Sequence, residues 1–129
     1  MAENKPSVNE SPATAPNTGD EPYDVIIIGA GAAGLGVAIA VMHTGIENYL
    51  IVDRHEVGAS FAAWPAETRF ITPSFPSNSI GMLDLNSIAI GISPAFNMRI
   101  EHPTGQEFAS HLQGIADFFE LPVRENTDV

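Results

Sequence analysis

The chain has 129 residues, 44% of them hydrophobic, enough for one modest domain with its own core and too few for two domains of about 100–200 residues each. Its 16 acidic residues against 5 Lys and Arg give a formal charge of −11, a balance that repels phosphate backbones and anionic lipid surfaces and so excludes nucleic-acid and membrane-surface partners. The same excess suits simple solubility or a saline interior equally well.

There is no cysteine, which excludes disulfides, thiolate metal sites and a dithiol redox centre, so any redox chemistry must run through a bound cofactor. His43, His55, His102 and His111 are scattered without ligand spacing, and no metal site is assigned. Residues 1–21 are rich in Pro, Ser, Asn, Thr and Glu and lack a positively charged start, the composition of a disordered leader rather than a secretion signal. The apolar stretch at 25–41 is broken by four glycines and falls short of the ~18 residues of a membrane span. A cytoplasmic location is expected.

Tyr23-Asp24-Val25-Ile26-Ile27-Ile28 is a β-branched run, the pattern of a strand buried on both faces of a parallel sheet. Residues 32–44 are mostly small and apolar, and Gly45 stands where a left-handed cap closes a helix. Tyr49-Leu50-Ile51-Val52 is a second strand, ending in Asp53-Arg54. Strand, glycine turn, helix and strand make a βαβ unit with an expected right-handed crossover.

The region 55–102 is dense in Gly, Pro, Ser and Asn without long periodicity, so short helical turns and loops are expected, for example at 60–64. Its polar runs Ser74-Phe75-Pro76-Ser77-Asn78 and Asp84-Leu85-Asn86 read as loop structure that also offers groups for ligand contact. Thr104-Gly105-Gln106-Glu107 is a capping box that opens a helix, with Phe108, Leu112, Ile115, Ala116 and Phe119 on one stripe and Leu121-Pro122 at its end. Thr127-Asp128-Val129 reads as the start of a third strand that the chain does not continue.

The motif that carries chemistry is Gly29-Ala30-Gly31-Ala32-Ala33-Gly34. Gly29 permits a tight turn, Gly31 lets a pyrophosphate approach the backbone, and Gly34 lets helix and strand pack closely. The amides of the following helix, those of Ala32 and Ala33 among them, point at the phosphates with the positive end of the helix dipole. The motif follows a strand, opens a helix and is followed nineteen residues after Gly34 by Asp53, the context of a dinucleotide site. The Asp53 carboxylate offers acceptors to two ribose hydroxyls and repels a 2′-phosphate, so FAD or NAD is favoured over NADP. Arg54 reads either as a ribose-side contact or as a solvated loop charge.

Residues 23–129 then resemble the flavin-containing monooxygenase and pyridine nucleotide-disulfide oxidoreductase-like group, which includes the thioredoxin reductases. Besides the glycine motif and Val52-Asp53-Arg54, the resemblance rests on Val57-Gly58-Ala59-Ser60-Phe61, similar to that group's Gly-Gly-Ser/Thr-Trp turn. It also includes Arg69-Phe70-Ile71-Thr72-Pro73, the helix at 108–119, and Asn126-Thr127-Asp128-Val129, similar to a strand whose backbone meets adenine. Ala59 and Phe61 depart from the group's usual glycine and tryptophan.

The resemblance implies an α/β, Rossmann-like FAD/NAD(P)-binding fold with a parallel sheet, incomplete at the C-terminus, in which 22–129 form the N-terminal portion of the domain. It implies that Gly29, Gly31 and Gly34 hold the pyrophosphate, Asp53 the ribose and Val129 the adenine edge. Ser60, Phe61 and Trp64 would lie toward the flavin, with core packing the alternative reading of Phe61 and Trp64. The implied function is the FAD-binding part of an oxidoreductase whose complete form takes electrons from NAD(P)H. The alternatives are the NAD-binding half of a dehydrogenase, or a non-catalytic truncated fragment or subunit that pairs with a chain supplying the rest of the sheet; the partner expected for the oxidoreductase reading is a second chain supplying the NAD(P)-binding domain.

Overall fold

The computed structural model describes residues 21–74 and 84–129. Residues 1–20 of the leader expected at 1–21 and Phe75-Pro76-Ser77-Asn78 lie outside the described residues. In chain order the elements are β1 (Val25–Ile28), α1 (Ala32–His43), β2 (Tyr49–Val52), α2 (Ala59–Ala62), α3 (Pro94–Met98), α4 (Gly105–Phe118) and β3 (Val123–Arg124).

The three strands form one parallel sheet in the order β1-β2-β3. Val25 pairs with Tyr49 and Ile28 with Val52, while Ile51 and Val52 pair with Val123 and Arg124. The βαβ unit and the parallel sheet expected from the strand–glycine–helix–strand pattern are both present.

α1 and α4 share one core with the sheet. Leu35 and Ile39 of α1, Phe108, Leu112 and Ile115 of α4, and Ile27 and Ile51 of the sheet are all buried in a single cluster. Burying each such side chain stabilises the fold by about 1.5–3 kcal/mol relative to exposure. The stripe read from the spacing of α4 is therefore the face that closes the core.

The capping box forms as its sequence dictates. Glu107 N–H donates to Thr104 Oγ1 at 3.1 Å and Thr104 N–H donates to Glu107 Oε1 at 2.8 Å. At the other end, Glu120 takes the left-handed conformation (φ 52°) and Leu121 N–H donates back to the Ala116 carbonyl at 2.9 Å. The chain is thereby turned directly into β3.

Two expectations are corrected. β1 is not covered on both faces: Ile27 is buried, whereas Ile26 is 55% and Ile28 69% exposed. Two crossovers of one hand, running in one direction along the sheet, put their helices on the same side, and β1 has only β2 beside it among the described residues. The β-branched run reports strand propensity, which says nothing about which neighbours are present.

The third strand is not 127–129 but Val123–Arg124. Asn126 is in the left-handed conformation (φ 54°), so the backbone leaves the ladder before Thr127. The apolar pair Leu121-Pro122 that ends α4 leads straight into pairing, because Ile51 N–H already reaches the Pro122 carbonyl at 2.9 Å.

Candidate functional site

The site is built where β1 ends. Gly29 N–H donates to the Val52 carbonyl at 2.7 Å, continuing the ladder one residue past the strand. Gly29 then turns at φ +112°, a conformation that side-chain-bearing residues rarely adopt. Gly34 sits so close beneath it that a Cβ there would collide with the Gly29 carbonyl. Two of the three motif glycines are thus explained by the protein's own geometry.

Gly31 is different. Its backbone is extended (φ −89°, ψ −164°), open to any residue, and a Cβ placed on it would meet nothing within 4 Å. Neither its conformation nor packing among the described residues calls for glycine at this position. Directly beyond it α1 begins with no side-chain cap and no acidic residue in its first turn. A bare backbone therefore faces the positive end of a twelve-residue helix, an arrangement suited to an anionic group.

Asp53, at the end of β2, braces this turn. Ala30 N–H donates to Asp53 Oδ2 at 2.7 Å, and His55 N–H donates to Oδ1 at 2.7 Å. A carboxylate has about four acceptor positions, so capacity remains for hydroxyl donors. The backbone of Asp53 is held as well, its N–H donating to Arg124 O at 3.2 Å and its carbonyl accepting from Thr127 N–H at 2.8 Å.

The structure brings Gly29, Gly31, Ala32, Ala33, Gly34 and Asp53 together. The 126–128 segment joins them through Asn126 N–H to His55 O at 3.2 Å and through a surface pair between Arg54 and Asp128 at 3.4 Å. Arg54 is thus engaged with a carboxylate. Val129 follows this segment and is 82% exposed.

Ser60 lies exposed on α2. The rings of Phe61 and Trp64 are 5.3 Å apart and pack with Phe70, while Phe61 and Phe108 meet edge to face at 4.9 Å. Phe61 and Trp64 therefore serve the seam between α2 and α4. Gly105 makes that seam possible, since a Cβ there would strike the Phe61 carbonyl and the Trp64 side chain.

The loop polar groups form a buried node of their own. Asp84 Oδ2 accepts from Ser74 Oγ at 2.6 Å and Ser93 Oγ at 2.7 Å, and Oδ1 accepts from Asn86 N–H at 2.9 Å. Burial alone would raise the Asp84 carboxyl, but the hydroxyls of Ser74 and Ser93 and the N–H groups of Asn86 and Ala95 outweigh it and hold it below its ordinary value. His111 is buried, and its Nε2 has no hydrogen-bond partner among the described residues. Desolvation lowers the His111 pKa, and attraction to Asp84 opposes that fall.

Three contacts had no sequence signal: Gly58 N–H to Ala30 O at 3.1 Å, Gln113 Nε2 to Val57 O at 3.1 Å, and Val57 N–H to Glu125 Oε2 at 3.0 Å. The last two join residues 56 and 68 positions apart. No local pattern encodes such a separation.

A parallel sheet whose first strand–helix turn is bare, uncapped and braced by a carboxylate from the next strand defines a Rossmann-type α/β protein of the FAD/NAD(P)-binding class. The model of the pyridine nucleotide-disulphide oxidoreductase family matches residues 26–129, and the chain belongs to that family. Among curated proteins it is 33% identical over 70 residues to the FAD-dependent urate hydroxylase of Xanthomonas campestris, covering 54% of this chain and 13% of that protein.

Solved structures that share the fold include those of a reductase and a monooxygenase. One is the bacillithiol disulfide reductase of Staphylococcus aureus, with a TM-score of 0.57 and 21% identity over 81% of this chain and 28% of that one. The other is the polycyclic ketone monooxygenase of Thermothelomyces thermophila, with a TM-score of 0.52 and 20% identity over 88% of this chain and 18% of that one. The chain thus spans less than a third of the length of each of these relatives. Among the described residues no helix is long and apolar enough to cross a membrane.

Proposed function

We propose that this chain binds FAD at the turn after β1 and is the FAD-binding N-terminal part of a flavin-dependent oxidoreductase that draws electrons from NAD(P)H. One observation carries the reading: Gly31 is a glycine that nothing among the described residues requires. Its open face borders the uncapped start of α1, so the requirement for a bare backbone comes from a ligand that is anionic and must approach closely.

In this reading the amides of Gly31, Ala32 and Ala33 hold the diphosphate, and Asp53 accepts from the adenosine ribose hydroxyls while keeping Ala30 in place. The 126–128 segment, paired with Arg54 through Asp128, leads to Val129 at the adenine edge. FAD, once bound, supplies the redox chemistry, while the protein's part is to hold and orient it. An FAD requirement is named for the urate hydroxylase that matches over 70 residues, which favours FAD over the alternative of NAD. The NAD(P)H-binding portion would come from elsewhere in a longer polypeptide or from a second chain, in the cytoplasm.

Fluorescence titration tests the assignment. The full chain is expected to quench FAD fluorescence and to release FAD on addition of ADP. The Asp53 carboxylate repels a 2′-phosphate, so 2′-phosphorylated ADP is expected to compete at least tenfold less well. Saturable binding of NAD with no binding of FAD would transfer the site to the dehydrogenase reading.

A further inference from the structure

The Ala30 peptide is gripped from both sides. Its N–H goes to Asp53, and its carbonyl accepts from Gly58 N–H at 3.1 Å. Ala30 is fully buried, so water cannot replace either partner, and an unmade bond there would leave a polar group stranded. The conformation of the glycine turn therefore depends on where Gly58 is held.

Gly58 is held in turn through its neighbour. The N–H of Val57 donates to Glu125 Oε2 at 3.0 Å and the carbonyl of Val57 accepts from Gln113 Nε2 at 3.1 Å. One clamp arm comes from the exit of β3 and the other from α4. Gly58 itself has φ +76°, and a Cβ on it would lie 3.0 Å from Ala109 Cα, so α4 also fixes it from beneath. Within hydrogen-bonding distance, the chain runs from Gln113 and Glu125 through Val57 and Gly58 to Ala30.

We propose that Gln113 and Glu125 are positioning residues for the nucleotide: they clamp the Val57 peptide, keep Gly58 N–H on the Ala30 carbonyl, and so hold the Gly31 turn in its binding form. The proposal rests on the dinucleotide reading of that turn. It assigns binding consequences to two side chains for which the glycine motif gives no hint. Their charge and size matter less than the acceptor at 125 and the donor at 113.

The test uses the full chain, with ADP as the probe in calorimetric titration and amide hydrogen exchange as a second readout. Glu125→Leu and Gln113→Leu are each expected to speed exchange of the Gly58 amide at least tenfold, leave the Ile51 amide of the central strand unchanged, and weaken ADP binding three- to tenfold. Glu125→Gln keeps an acceptor oxygen and is expected to restore both. Unchanged Gly58 exchange in the leucine variants overturns the clamp. Faster Gly58 exchange with unchanged ADP affinity overturns its role in binding. Absence of ADP binding by the native chain overturns the dinucleotide reading itself and is recognised before any variant is made.

Discussion

Ala30 and Asp53, 23 residues apart, are joined by a 2.7 Å hydrogen bond from the Ala30 amide to Asp53 Oδ2. The bond ties the turn after β1 to the end of β2, so one carboxylate serves both the fold and the proposed ribose contact. Hydrogen bonds to a charged group contribute about 1.5–3 kcal/mol. Asp53→Ala is expected to lose stability in that range in urea denaturation and to lose FAD binding as well. Full stability in this variant would show that the carboxylate does not brace the turn.

The motif glycines separate by cause, and a pair of substitutions exposes the difference. Gly34→Ala drives a methyl group into the Gly29 carbonyl and is expected to unfold the chain or lower its Tm by many degrees. Gly31→Val meets no atom of the described residues at its Cβ. It is expected to cost only the poorer N-cap, about 1 kcal/mol, a fall in Tm of about 3–6 °C, yet to weaken FAD binding at least tenfold. Equal losses of stability in both would remove the distinction, as would undiminished FAD binding in Gly31→Val.

Acid should act first through His111 and then through Asp84. The folded His111 pKa lies below its ordinary 6.5 because of desolvation. Above pH 6.5 both states hold neutral imidazole and nothing is lost; below it the unfolded chain takes up a proton that the folded chain resists, and stability falls. Asp84 is likewise held below its ordinary 3.8, so its contribution is present above that value and declines beneath it. The shrinking net negative charge runs the other way, which makes the difference between variants the informative quantity. Between pH 7.5 and 5 the native Tm is expected to fall relative to that of His111→Leu. Parallel curves would mean that His111 is not the responsible group.

Much of this was legible in the residues because it was local. Glycine spacing, the β-branched runs and the Thr104–Glu107 box each encode their geometry within a few positions, and α1, β2 and α4 formed where those patterns lie. Asp53 was legible because its distance from Gly34 is set by one helix and one strand. What escaped depended on partners distant in sequence. The exposure of Ile26 and Ile28 reflects which elements flank β1, and the early start of β3 reflects pairing with Ile51 rather than strand propensity. The ring contacts of Phe61 and Trp64 with Phe70, and of Phe61 with Phe108, join residues distant in sequence and so had no local pattern. Asp84 and Ser74, ten positions apart in sequence, carried no spacing signal for the node that they form.

The central claim is that the bare turn at Gly31 and the first amides of α1 receive the diphosphate of FAD. Its most direct test is an amide-resolved NMR titration of the full chain with FAD, which reads weak binding residue by residue. The account predicts saturable shifts that are largest at Gly31, Ala32 and Ala33, with smaller ones at Ala30 and His55 through Asp53. Saturable shifts confined to other parts of the chain, or none at millimolar FAD, would contradict it.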